Sequence, residues 1–270
     1  MQNFFEIIEN FYNGGCMKLK KAFTLAEVLI TLGIIGIVAA LTIPQLIKDY
    51  KGRVLETQFK KAYNIAQQVI MSAKNDVGVG NFTSFCVSYT EESGYYNSNV
   101  CYRALSKALS GVETKSTYIY DPKYQIKRDD EIRTYNNRQE ATISSIAGFG
   151  NLWQLYKNKD GALMQFSIIE GRVYISIDTN GLNKPNQLGH DIFVMYTDSR
   201  DRVVGNKQSR LYTDEELDNM DFAHEYDKER AGNPCSAKSN QKANGIGCSW
   251  YAINDINPDT GKSGYWKNLP

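Results

Sequence analysis

Histidine and proline are scarce in this chain, and neither sign of charge dominates it. Its 270 residues include two histidines and six prolines, and its formal net charge is +1. Two histidines leave little material for a His-based metal centre. A charge so close to zero gives no overall electrostatic pull toward nucleic acid or an acidic surface. No internal repeat and no low-complexity tract is present. The histidines, His190 and His224, are accompanied by no Ser or Cys nucleophile elbow, no Gly-rich phosphate loop and no metal-ligand spacing. Those patterns are what enzymatic chemistry needs, so the expectation is that the chain is not an enzyme. Long apolar runs are scarce too. There is one, residues 23–43, in a chain whose mean hydropathy is −0.45. That asymmetry describes a membrane anchor followed by a soluble body, and the body is long enough for a real core.

The run reads FTLAEVLITLGIIGIVAALTI. At about 1.5 Å per residue it makes a helix of roughly 31 Å, enough to cross the hydrocarbon core of a bilayer. Lys18, Lys20 and Lys21 lie just ahead of it without a balancing acid. The positive-inside rule keeps that end cytoplasmic and sends everything after the run outward. Glu27 is the single ionisable side chain in the span. A carboxylate in hydrocarbon is expensive, which makes Glu27 a functional candidate rather than a neutral passenger.

Cysteine usage agrees with an exported body. Cys16 precedes the run, and the other four fall in two close pairs, Cys86 with Cys101 and Cys235 with Cys248. Sequence proximity favours two short-loop disulfides in an oxidising compartment over free thiols. The spacing within each pair is too wide for a zinc ribbon.

The stretch Lys20-Lys21-Ala22-Phe23-Thr24-Leu25-Ala26-Glu27 resembles the prepilin processing motif of type IV pilins and type II secretion pseudopilins. That family has a basic leader, a small residue, Phe, then Thr-Leu-x-Glu opening an apolar helix. The resemblance implies cleavage between Ala22 and Phe23 by a membrane-embedded prepilin peptidase, with methylation of the new Phe23 amine. Ala22 stands where the family usually has Gly, a small-for-small exchange. The resemblance also gives Glu27 an assembly role, neutralising the Phe23 amine of a neighbouring copy as helices bundle in a filament. Gly33, Gly36, Ala39 and Ala40 keep the helix slim for such bundling. Other implied partners are an inner-membrane assembly platform and its ATPase. A precursor held in the bacterial inner membrane with a periplasmic body would end in a surface pilus or a periplasmic pseudopilus. Two other readings of the segment are a secretory signal cut after Ala40, which Glu27 opposes, and a permanent anchor. A surface binding module merely tethered by the helix is the alternative function. Met17 to Ala22 is by itself a complete short leader, so Met17 is the expected start and residues 1–16 are expected to lie outside the translated leader.

The expected fold is α+β: a long N-terminal helix packed on an antiparallel sheet, as in pilins. Residues 1–22 form the leader, 23–43 the membrane and filament-core helix, 44–75 an amphipathic continuation, and 76–270 the head. Pro44 marks the join between the helical halves. Leu55, Phe59, Ala62, Ala66, Val69 and Ala73 recur at helical period, with Val54, Ile65 and Ile70 widening the stripe. In the head, residues 162–169 and 172–178 around Glu170-Gly171 read as a hairpin with Leu163, Gln165, Ile168 and Val173, Ile175, Ile177 alternating. Residues 190–197 read as a third strand, and 102–109 as a short helix. The second cysteine pair resembles the disulfide-bounded C-terminal region of many pilins.

Two further stretches hold candidate ligands. Asp178, Asn180, Asn183, Asn186 and Asp191 crowd one turn-rich segment with the oxygens Ca²⁺ prefers. The segment is no EF-hand, and a simple turn between strands is the favoured reading over a calcium loop. Lys123, Tyr124, Lys127, Arg128, Arg133, Tyr135 and Arg138 mix cations with aromatics, as single-stranded nucleic-acid sites do. Asp129, Asp130 and Glu131 interrupt them, so a solvated mixed-charge surface is expected and nucleic acid is not an expected partner.

Overall fold

The computed structural model describes residues 24–90, 95–109, 132–141, 155–157, 161–169, 171–181 and 183–270. Ala22 and Phe23, Cys16, Glu170 and the 123–128 part of the basic-aromatic stretch lie outside the described residues. The chain divides into two compact units, one ending at Ile47 and the other Lys48–Pro270.

One helix, α1 (Leu25–Val77), runs without a break through Pro44, so the two expected helical segments are continuous. Among the described residues it is the one helix long and apolar enough to cross a membrane. From Leu25 to Ile47 its side chains are exposed, apart from a half-covered Ala39. The later half is amphipathic, and buries Gly52, Phe59, Ala62, Ala66, Val69, Ile70 and Ala73. Most of the predicted stripe is there, with two corrections. Val54 is exposed, because it sits away from the packed face, and Gly52 joins that face instead.

The partner of the stripe is a five-stranded antiparallel sheet in the order β3 (Leu155–Lys157), β4 (Leu163–Ile169), β5 (Arg172–Asp178), β6 (Ile192–Thr197) and β7 (Val203–Gly205). Ile169 opposes Arg172 across the tight β4–β5 turn, where Gly171 takes φ +75°. That sign of φ is cheap for glycine and strained for other residues. The predicted β4 face is out of phase with the observed one. Residues of one strand face share parity, so Leu163 and Gln165 cannot share a side with Ile168. The main core takes Met164 and Phe166, with Ile168 packed on it, beside Val173, Ile175 and Ile177 of β5 as expected. Phe59 of α1 stands 4.4 Å from the Phe193 ring and 5.3 Å from Trp266, centroid to centroid. The opposite sheet face is covered as well. Ile192 and Val194 lie there against Ile132, Ala141, Leu188, Ala243 and Ile246.

Polar bonds fix α1 to the sheet edge. Gln67 accepts the Val203 N–H (2.9 Å) and donates to the Asp201 carbonyl (3.3 Å), while Tyr63 Oη donates to the Val203 carbonyl (3.0 Å). An edge strand needs such partners for its unpaired backbone groups. After α1 come α2 (Phe82–Val87), a small hairpin of β1 (Tyr89–Thr90) and β2 (Tyr95–Tyr96), and α3 (Ser98–Ala108). The last covers most of the helix expected at 102–109. Cys86 of α2 is bonded to Cys101 of α3, and Cys235 to Cys248, with Cα separations of 5.8 and 5.1 Å. Loops of that length stabilise by roughly 3 kcal/mol each in the chain-entropy picture. The remaining helices among the described residues are short: α4 (Asp214–Asp218), α5 (Glu225–Arg230), α6 (Ser249–Asn254) and a 3₁₀ turn, Trp266–Asn268.

Candidate functional site

The N-terminus of α1 is closed by a reciprocal cap. Glu27 N–H donates to Thr24 Oγ1 (3.2 Å), while Glu27 Oε2 accepts both the Thr24 N–H (2.8 Å) and its hydroxyl (2.9 Å). Thr followed three residues later by Glu is the sequence form of this box, and it satisfies two otherwise orphaned helix-start donors. All three bonds use one carboxylate oxygen or the Thr hydroxyl. The other oxygen, Oε1, has no partner among the described residues. Thr24 and Glu27 are both exposed, at the head of an apolar stretch that has no other ionisable group before Lys48. The arrangement holds a carboxylate rigidly at the tip of a greasy helix with one oxygen open to an external cation.

Gly33 and Gly36 follow on the same segment. A Cβ built at either meets no atom within 4 Å, so nothing inside the chain requires glycine there. Each glycine costs a helix interior about 1 kcal/mol against alanine. Small residues on an exposed apolar helix permit close approach of another helix.

The predicted calcium set sits where expected by sequence, between β5 and β6, but its groups bond to the loop itself. Asp191 accepts the Asn186 N–H (2.8 Å) on one oxygen and the Gln187 N–H (2.7 Å) on the other. Asp178 accepts the Asn180 N–H (3.2 Å). The asparagines turn amide nitrogens to backbone carbonyls: Asn180 to Lys184 (3.1 Å) and Asn183 to Asn180 (2.9 Å). With its amide turned so that oxygen and nitrogen exchange places, the orientation its neighbours favour, Asn186 completes the set by donating to the carbonyls of Asn183 (3.1 Å) and Gly181 (3.3 Å). A calcium cage needs six to eight converging oxygens. Here amide N–H groups occupy the carbonyls instead, and among the described residues no group of three or more His, Cys, Asp or Glu is placed to hold a metal ion. Bonded in this way, the five residues hold the turn between β5 and β6. Burial, and then the neighbouring Asp178 charge, push the Asp191 carboxyl up to about 7, against the pull of its backbone donors.

His190, adjacent in sequence, is buried and bonds through Nε2 to the Tyr135 carbonyl (3.1 Å). Burial drives its pKa down to about 4, so the ring is neutral at pH 7. Of the basic-aromatic stretch, Tyr135 is buried and stacks on Tyr265 at 6.1 Å, leaving no exposed face for a base. Arg133 is turned onto Asn137 and Arg138 toward Asn240.

Sequence reasoning passed over Asp201. Its buried carboxylate accepts the Phe82 N–H (2.9 Å) and Thr83 N–H (2.8 Å) at the start of α2, and the Lys74 ammonium (2.8 Å) of α1. Its signal was weak, an Asp in a polar turn (Asp198-Ser-Arg-Asp201), and all three partners lie more than a hundred residues away.

Residues 17–43 match the family model for the prokaryotic N-terminal methylation motif. The matched stretch is the prepilin signal of type IV pilins and pseudopilins, and it ends with the apolar run that α1 makes helical. No curated protein and no solved structure matches the chain.

Proposed function

We propose that the chain is the precursor of a pilin or pseudopilin. Prepilin peptidase cuts between Ala22 and Phe23 and the Phe23 amine is methylated. The precursor sits in the bacterial inner membrane with its body in the periplasm. Assembly through α1, driven by a platform protein and ATPase, then yields a surface pilus or a periplasmic pseudopilus. The role is structural, not enzymatic.

The observation that carries this reading is Glu27, the single carboxylate of the apolar segment, held by the Thr24 cap with Oε1 open. A tether has no use for an acid in hydrocarbon, since burying it unpaired costs a few kcal/mol. A filament has one, because each processed copy carries a new ammonium at Phe23. Attraction in a low-dielectric core is strong and desolvation removes much of it. The pair then sets axial register: a slipped copy leaves two uncompensated charges among apolar helices. Gly33 and Gly36, idle within the chain, supply the close approach.

Replacing Glu27 with Val tests the reading. The expected variant is cut and membrane-held but forms no filaments by electron microscopy of sheared or overexpressing cells. Normal filaments from Glu27→Val would overturn it.

A further inference from the structure

We propose that Lys48, Lys51 and Arg53, together with Tyr50, form a collar that binds the phosphate headgroups of anionic phospholipids. The inference rests on the membrane-held precursor proposed above and concerns what the helix meets as it leaves the hydrocarbon.

Position is the first argument. No cation lies between Lys21 and Lys48. The apolar part of α1, from Leu25 to Ile47, rises roughly 35 Å at 1.5 Å per residue. The hydrocarbon core is about 30 Å thick and the bilayer with its headgroups about 40–45 Å. The residues from Lys48 onward therefore enter the headgroup layer within their first turn.

Availability is the second. Lys48, Lys51 and Arg53 are exposed, and none of them forms a salt bridge among the described residues. The nearby Glu56 carboxylate is taken by Lys60 (2.5 Å), and Asp49, within the same turn, leaves three cations against one acid. Tyr50 is 68% exposed, an unusual state for a tyrosine with nothing to cover it. A phenol ring is amphipathic and settles at the membrane–water boundary, where its ring meets acyl chains and its hydroxyl meets water.

Distribution decides between a lipid and a protein partner. Gly52 faces inward, so close to the C-terminal segment that a Cβ there would stand 2.3 Å from the Trp266 carbonyl oxygen. At about 100° per residue, Lys51 and Arg53 fall on opposite flanks of the helix and Tyr50 on its back. A docked protein meets one face of a helix, whereas headgroups surround it. Charges spread over both flanks suit the surrounding layer. Lys60 and Lys61 lie about 11 to 12 Å beyond Arg53 along the axis, outside the collar.

The test uses the full-length precursor reconstituted in phosphatidylcholine vesicles, with spin-labelled phosphatidylglycerol or spin-labelled phosphatidylcholine as the probe. Electron paramagnetic resonance reads the fraction of each label held at the protein surface. The expected result is a preference for phosphatidylglycerol of roughly fivefold per cation engaged, weakened by added salt. The triple variant Lys48→Gln/Lys51→Gln/Arg53→Gln should show parity between the labels. The charge-preserving Lys48→Arg/Lys51→Arg/Arg53→Lys should keep the preference. Inserted wild-type protein with no preference, or a Gln variant that retains it, overturns the collar and leaves the membrane reading standing. Protein that inserts into neither vesicle overturns the membrane reading and the collar with it.

Discussion

Replacing Asp201 with asparagine or alanine removes a junction on which three elements of the body meet. The Asp201 side chain is fully buried, and the Lys74 side chain that pairs with it is about a quarter exposed (23%). Two backbone N–H groups, Phe82 and Thr83, have that carboxylate as their acceptor at the start of α2. Hydrogen bonds to a charged group are worth about 1.5–3 kcal/mol each, so stranding two buried donors costs several kcal/mol. Lys74 rehydrates through its exposed part and adds little. Asp201 also takes φ +59°, a conformation Asn tolerates and Ala does not. The expected losses are about 2 kcal/mol for Asp201→Asn, which keeps one acceptor oxygen, and about 4 kcal/mol for Asp201→Ala. Guanidinium unfolding of the detergent-solubilised, oxidised chain, followed by tryptophan fluorescence, measures them. Burial pushes the Asp201 carboxyl up, but the Lys74 ammonium and the Thr83 and Phe82 donors outweigh it and hold the pKa below the usual carboxylate value. A depressed folded pKa gives stability that is present above about 4 and lost as pH falls through the folded value. An Asp201→Ala protein within about 0.5 kcal/mol of wild type, or one with unaltered acid sensitivity, would refute the reasoning.

Three more outcomes follow from the body and the helix. Asp191 has the opposite sign: its folded pKa, about 7, lies above the unfolded one, so its contribution is present below pH 4 and fades as pH rises toward 7. Asp191→Asn should flatten that part of the stability–pH curve in denaturant titrations between pH 4.5 and 7.5; an unchanged slope contradicts the assignment. Gly52→Ala places a methyl against the Trp266 carbonyl and should lower stability by about 1–3 kcal/mol despite alanine's better helix propensity. Gly33→Ala and Gly36→Ala meet nothing within the chain, so they should not lower stability, and helix propensity should raise it by up to about 1 kcal/mol each, while filament yield falls.

What the sequence made legible was periodic or local. The apolar run, the amphipathic stripe from Phe59 to Ala73 and the strands of the central hairpin follow from spacing, and the structure has each of them. Both disulfides join cysteines that were neighbours in sequence. The Thr24–Glu27 cap is a four-residue pattern that sequence carries in full. What sequence concealed was long-range. Gly52 matters because a segment over two hundred residues later crosses it, and Gln67 and Asp201 because their partners arrive through the fold. Composition alone separates a turn from a calcium loop poorly for a related reason. Composition counts oxygens, but asparagine offers a donor as well, and here the amide nitrogens face inward to the carbonyls.

The measurement that bears most directly on the central claim is intact mass and N-terminal sequence of the chain recovered from membranes with an active prepilin peptidase, beside the chain from membranes without one. The account predicts a mature polypeptide beginning at N-methylated Phe23 in the first and the intact leader in the second. A mature chain starting after Ala40, or an uncut chain in both, would contradict it.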